Sequence, residues 1–151
     1  MTETQGIVLA TQHNKQLGSV GETIVTTELL KRGWVVSTPE GDYAPYDRIA
    51  TKDTFTHKIQ VKSATHNING TYKWTLKGGQ KKQKEHSLDD ISYYIFVAVP
   101  VMLFLIVPYD MIKGLQSVSI PSDPKKNKNL KYSMYLNAWG LMENKGYKDT
   151  L

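Results

Sequence analysis

The 151-residue sequence contains no cysteine, which removes disulfides and thiolate metal sites and fits a reducing compartment such as the cytoplasm. It also lacks a long apolar run. The most extended, Tyr93 to Val107, is interrupted by Pro100 and falls short of the roughly 20 residues that cross a bilayer. Met1 to Gln12 carries no basic segment followed by an apolar one, so no secretory leader is read there and no membrane partner is expected. Histidine is scarce, and His13, His57, His66 and His86 lie without the spacing of zinc ligands. They are read as surface or hydrogen-bonded residues. No internal repeat is found. What is present is a chain with 40% hydrophobic residues, too many for global disorder. Its length suffices to bury roughly 68 to 70% of the unfolded surface, which predicts one domain over residues 1–151.

Periodicity supplies the elements. Leu17, Val20, Gly21, Ile24 and Val25 recur at helical spacing, and Lys31 and Arg32 before Gly33 suit a helix C-terminus. Trp34 to Thr38, Tyr46 to Thr51, His57 to Ser63, Thr71 to Leu76 and Ser117 to Ile120 read as strands, with Asn67 to Gly70 as the turn before the fourth. Tyr93 to Val99 and Leu103 to Val107 read as two buried strands joined tightly around Pro100. Tyr109 to Leu115 is expected to form a short helix, and Tyr132 to Met142 a final helix or a strand and helix mixture. Trp34, Trp74 and Trp139 lie in apolar surroundings and are assigned to the core. The pattern predicts an α/β fold, a central mixed β-sheet flanked by α-helices.

Asp47 is followed thirteen residues later by Gln60-Val61-Lys62 on the third strand-like run. Alternate strand side chains share a face, so Lys58, Gln60 and Lys62 point one way while Ile59, Val61 and Ser63 point the other. If Asp47 ends the neighbouring strand beside Gln60, two oxygen ligands converge where Mg²⁺ can keep several of its waters. Lys62 then brings a positive charge to the same place, which is a combination suited to phosphodiester cleavage. On a helical wheel Glu22 falls at the margin of the apolar stripe and Glu28 nearer its centre. Either could supply a further carboxylate, and the wheel does not choose between them. Ser63 faces away from Lys62 and is read as structural. Asp89 and Asp90 are adjacent, so they point apart and are read as surface acids or a helix cap.

The net charge of +5 favours polyanions. Its distribution says more: Lys77, Lys81, Lys82 and Lys84 follow Trp74, and Lys125, Lys126, Lys128 and Lys131 follow Pro124, together eight of the nineteen basic residues. Both groups sit in sequence rich in Gly, Pro, Gln or Asn and read as loops. Such loops can contact DNA phosphates with an affinity that weakens as salt rises.

The runs Gly18-Ser19-Val20-Gly21-Glu22, Leu29 to Val36, Tyr46-Asp47-Arg48-Ile49-Ala50 and Ile59-Gln60-Val61-Lys62-Ser63 together resemble the PD-(D/E)XK nuclease superfamily. The order helix glutamate, strand aspartate, then acid-x-lysine is similar to archaeal Holliday junction resolvases. The chain's size and the glutamine in the acid position are closer to the homing endonucleases of group I introns. The proline expected directly before the aspartate is displaced by one residue, as Pro45-Tyr46-Asp47, and Gln60 brings a neutral carbonyl rather than a charge.

The resemblance implies a restriction-endonuclease-like core and a catalytic set of Glu22, Asp47, Gln60 and Lys62, favouring Glu22 over Glu28. It also implies Asp47, Gln60, Val61 and Glu22 as metal ligands for Mg²⁺, with Mn²⁺ as a substitute. The activity it implies is site-specific hydrolysis of double-stranded DNA by a homodimer or homotetramer. Specificity would be read by loops after Ser63, including Thr65 to Asn69. A junction resolvase, a restriction or repair nuclease, and a DNA-binding module that has lost cleavage are the alternatives.

Overall fold

The computed structural model describes residues 3–41, 43–76, 91–127 and 131–144, with side chains in the first helix from residue 15 onward. That helix, α1, runs Glu3–Lys31, so it begins well before the apolar stripe that predicts it. Gly21, Val25 and Leu29 are buried along one side of it, at the four-residue spacing that keeps side chains on one helical face. It stops where the sequence says it should. Gly33 adopts φ +87, its N–H bonds the Leu30 carbonyl, and the Trp34 N–H bonds the Leu29 carbonyl. These two bonds satisfy the last carbonyls of the helix with a left-handed residue where glycine carries no Cβ penalty.

A five-stranded sheet follows, ordered β1-β2-β3-β5-β6. Its strands are β1 (Val35–Ser37), β2 (Arg48–Lys52), β3 (Phe55–Ala64), β5 (Tyr93–Ala98) and β6 (Leu103–Pro108). Only β3 and β5 run parallel, with Ile59 opposite Tyr93 and Lys62 opposite Phe96. The other pairs are antiparallel, which makes the sheet mixed. All six residues of β5 are buried, as expected of a central strand covered on both faces. A 3₁₀ turn over Val99–Val101 joins it to β6, with Met102 in the left-handed region at φ 51.

Alternation sorts the core into two layers. His57, Ile59 and Val61 of β3 and Tyr93, Ile95 and Val97 of β5 lie on the face that receives Val25 and Leu29 of α1, together with Trp34 and Trp139. Within that layer His57 is ringed by Trp34, Phe55 and Tyr93, and its Nε2 lies 2.6 Å from the Met142 carbonyl, to which it donates. The opposite face, with Ala64, Tyr94, Phe96 and Ala98, is covered by a two-stranded antiparallel ribbon. The ribbon consists of β4 (Thr71–Thr75) and β7 (Ser117–Pro121). Its inner face is Tyr72, Trp74, Val118 and Ile120, while Lys73, Thr75 and Ser119 face outward. The Trp74 indole N–H donates to the Val97 carbonyl at 3.3 Å, tying ribbon to sheet.

Several expectations shift in detail. The second strand starts at Arg48, leaving Tyr46 and Asp47 ahead of it. Tyr109 to Leu115 holds only a 3₁₀ turn over Tyr109–Met111. Tyr132 to Met142 forms two 3₁₀ turns, Ser133–Tyr135 and Trp139–Glu143, not a helix. The reason lies at Asn137, whose φ of 50 breaks the path between them. α1 is the one α-helix among the described residues, and its partner on the far face is the ribbon. No helix among the described residues is long and apolar enough to cross a membrane.

Candidate active site

The site forms where β2 lets go of β3. Their pairing ends at Arg48 opposite Ile59, yet Asp47 stays attached by a different route. Its backbone N–H donates to the Ile59 carbonyl at 2.8 Å, and its Oδ2 accepts the Val61 N–H at 2.8 Å. These two bonds bracket Gln60, so the aspartate is fixed against the residue that sequence reasoning set beside it. In a strand the N–H and C=O of one residue point to the same edge. The Val61 carbonyl therefore lies on the edge that Asp47 occupies.

Across this open edge stands α1. Gly21 allows the approach: a Cβ built there would lie 1.7 Å from Ser63 Oγ and 2.9 Å from Ser63 Cβ. No larger residue fits without moving helix or strand. The next residue, Glu22, thereby reaches a cleft of about 360 Å³ lined by Leu17, Gly18, Glu22, Val61, Lys62, Ser63 and Thr65. Asp47 and Gln60 are not among its lining residues. They stand at its margin, joined to it through Val61. Glu28, the rival on the wheel, is paired instead with Arg32 and Lys31 at the end of the helix. The Arg32 hydrogen bond holds its carboxyl below the usual range.

Electrostatics binds the group together. Burial raises the Asp47 carboxyl above its usual value, opposed by the Val61 N–H and by the charges of Arg48 and Lys62. Burial also raises Glu22, the charge of Asp47 raises it further, and Arg48 opposes both. Tyr94, opposite Gln60 in the register, is pushed up to about 12 by burial, by Tyr109 and by Asp47. Two carboxylates raised by burial, one of them raised further by the charge of the other, are a place where a cation is welcome, because a positive charge relieves both repulsion and desolvation. Among the described residues no three His, Asp or Glu side chains converge. The hard donors beside Asp47 are the Gln60 amide carbonyl and the Val61 backbone carbonyl, a set whose chemistry suits Mg²⁺ with a large share of its waters retained. The residues present fit the ion that the resemblance implies.

Arg48 was passed over in the sequence. Its guanidinium donates to the Asp47 carbonyl at 2.7 Å and to Thr26 Oγ1 at 3.0 Å, and lies 3.5 Å from Glu22 Oε2. The signal available was its position directly after Asp47, which turns its side chain away from the aspartate. Leu17, Gly18 and Thr65 were missed as lining residues because a cleft between a helix and a strand edge has no periodic signature. Of the lysines expected to meet DNA, Lys125 and Lys126 are exposed on a 3₁₀ turn, Pro124–Asn127, directly after β7. Lys131 is exposed over the Tyr132 ring. Lys77, Lys81, Lys82, Lys84 and Lys128 lie outside the described residues, as do Asp89 and Asp90.

A comparison with curated protein sequences finds no match. Among solved structures the chain is similar to a bacterial homing endonuclease, I-Ssp6803I. The TM-score is 0.73 at 23% sequence identity, covering 91% of this chain and 97% of that one. At that identity the likeness concerns the fold, a restriction-endonuclease-like α/β core. Residues 12–142 match the PD-(D/E)XK endonuclease family, a span that holds the C-terminal two-thirds of the helix, every strand among the described residues and the whole of the cleft. The chain belongs to the PD-(D/E)XK endonucleases.

Proposed function

We propose that the chain is a Mg²⁺-dependent endonuclease that hydrolyses double-stranded DNA at a specific site, with Mn²⁺ able to replace Mg²⁺. The observation that carries this reading is the bracketing of Gln60 by the two hydrogen bonds of Asp47, with Lys62 and Glu22 facing one adjoining cleft. Asp47, Gln60 and the Val61 carbonyl would hold the ion, and Glu22 would add a carboxylate at its far side. A divalent ion held there would polarise the phosphate and make a bound water acidic at neutral pH.

The protein's own groups do the rest. Asp47 is oriented by Val61 and so presents its other oxygen in one direction. Lys62 directs its ammonium toward the phosphate oxygens, where it orients the attacking water or offsets the charge that builds as the phosphorus–oxygen bond breaks. The cleft wall of Leu17 and Gly18 limits how much bulk water shares the site. The exposed Lys125 and Lys126 supply sequence-independent attraction to the backbone of the duplex. Cutting both strands calls for two such centres, which supports a homodimer or homotetramer. Base contacts from the loop Thr65 to Asn69 would give the specificity.

Incubation of the protein with supercoiled, linear and four-way-junction DNA tests this reading, with Mg²⁺ or EDTA present. Nicking and linearisation that need the metal and vanish in Asp47→Ala are expected, with linear duplex cut at a defined position. Metal-dependent cutting that persists in Asp47→Ala would remove the proposed mechanism. Preference for the junction over every linear duplex would replace the homing-type substrate by a structure-selective one.

A further inference from the structure

Arg48 is a cation largely withdrawn from solvent, with 15% of its side chain accessible. Such a group needs acceptors, and it has three, drawn from two different parts of the chain. The Asp47 carbonyl at 2.7 Å is backbone of the strand entry. Thr26 Oγ1 at 3.0 Å belongs to α1, one turn beyond Glu22. That hydroxyl gives its own proton to the Glu22 carbonyl at 2.9 Å, so its lone pair is turned to the arginine. The third acceptor is Glu22 Oε2 at 3.5 Å. The guanidinium is thus fixed from both α1 and β2, and it cannot lose its proton. Its contacts are selective: it reaches the side chain of Glu22 but only the main chain of Asp47.

We propose that Arg48 is a positioning residue that serves Glu22 as a permanent cation in place of a second divalent ion, so that each chain binds one ion, at Asp47. This rests on the nuclease reading above and narrows it. A divalent ion bonded directly to Glu22 would have to share that carboxylate with a guanidinium held in place by two further hydrogen bonds, and like charges at such range repel strongly where solvent is partly excluded. The Asp47 carboxylate is held instead by a neutral donor, the Val61 N–H on its Oδ2, and it feels Arg48 through its charge without a side-chain bond to it. Glu22 then acts through a water molecule, with its carboxylate aimed by Arg48 and Thr26.

Mn²⁺ titration followed by electron paramagnetic resonance, which counts bound ions without any turnover, tests this on the whole chain. The wild type is expected to bind one Mn²⁺ per chain. Glu22→Gln should also bind one, with affinity lowered by about 10- to 100-fold at most, the range for a group that acts through a bound water. Arg48→Met should bind two, because Glu22 is released, whereas Arg48→Lys, which keeps the charge, should stay at one. Circular dichroism melts confirm that each variant is folded. Should Arg48→Met not fold, Glu22→Gln still decides the matter. Two ions in the wild type, or a fall from two to one in Glu22→Gln, would overturn the proposal. If the wild type binds two ions and cuts DNA, the nuclease reading stands and only the role of Arg48 falls. If it binds none and cuts nothing, both fall.

Discussion

The two halves of β3 make an instructive pair. From Phe55 to Ile59 the strand pairs with β2 residue by residue and meets the other neighbour only at its end, through Ser92 and Tyr93, and His57 and Ile59 are buried in the layer beneath α1 and Trp34. From Gln60 onward it keeps only β5 on one edge, and a side chain, Asp47, takes over where β2 has left. The first half spends its backbone groups on sheet structure. The second turns the same groups into an oriented aspartate and an accessible carbonyl. Separating β2 from β3 by one residue is therefore what creates the site, and the second half should be the less favourable one for stability.

Substitutions can break or sharpen this contrast. The largest effect is expected from Asp47→Asn, whose amide carbonyl can still accept the Val61 N–H while the charge is gone. DNA nicking should fall about 10³-fold or more, yet the melting temperature at pH 7 should be unchanged or higher, because burial disfavours the ionised acid. A large drop in melting temperature would show that the open half is structural after all. Ile59→Ala, in the paired half, should do the reverse. Removing a side chain that is fully buried should cost about 3 to 4 kcal/mol in urea unfolding, while the molecules that remain folded keep most of their cleavage rate.

Gly21→Ala comes next. The added methyl collides with Ser63, and overpacking of this kind costs about 1 to 3 kcal/mol. It should also move Glu22 and reduce nicking, and Ser63→Gly in the same chain should recover part of both losses. The absence of any rescue would mean that the helix does not rest on Ser63.

The smallest effect concerns pH and metal. Folding raises the proton affinity of both Glu22 and Asp47 above their ordinary values of 4.5 and 3.8. Their contribution to stability is therefore fully present below those values and is lost as pH rises through the raised ones. Mg²⁺ should reverse that loss at pH 7 but not at pH 4. At about ten times its dissociation constant it should add about 1.4 kcal/mol, roughly 3 to 6 °C in the melting temperature. Equal shifts at the two pH values would show that the ion binds elsewhere. Cleavage should likewise decline on acidification at a pH above the ordinary carboxylate range.

Particular residues show how far sequence reasoning reaches. Val25 and Leu29 announce α1 and Gly33 its end, because helical spacing and a left-handed cap are local properties. The buried runs of β5 and β6 announce themselves by composition. The ribbon is different. Thr71 to Thr75 and Ser117 to Pro121 each read as a strand, but nothing local says that they pair with each other across some forty residues. Tyr135, Trp139 and Met142 are spaced as on a helix and all are buried, yet Asn137 in the left-handed region divides them between two turns. Arg48 was invisible for the same reason as the ribbon, since its partners Glu22 and Thr26 stand more than twenty residues away.

The sequence by itself determined the helix, the strands, the alternation that puts Gln60 and Lys62 on one face, and the order of acid, acid, amide and lysine, all of which depend on neighbours along the chain. Tertiary structure alone decided that Glu22 and not Glu28 enters the cleft, that Asp47 grips Val61, and that Arg48 stands beside Glu22. The wheel positions of the two glutamates left both open. The close approach of α1 to β3 at Gly21 and the pairing of Glu28 with Arg32 separate them, and contact between segments far apart in sequence is set by how whole elements pack.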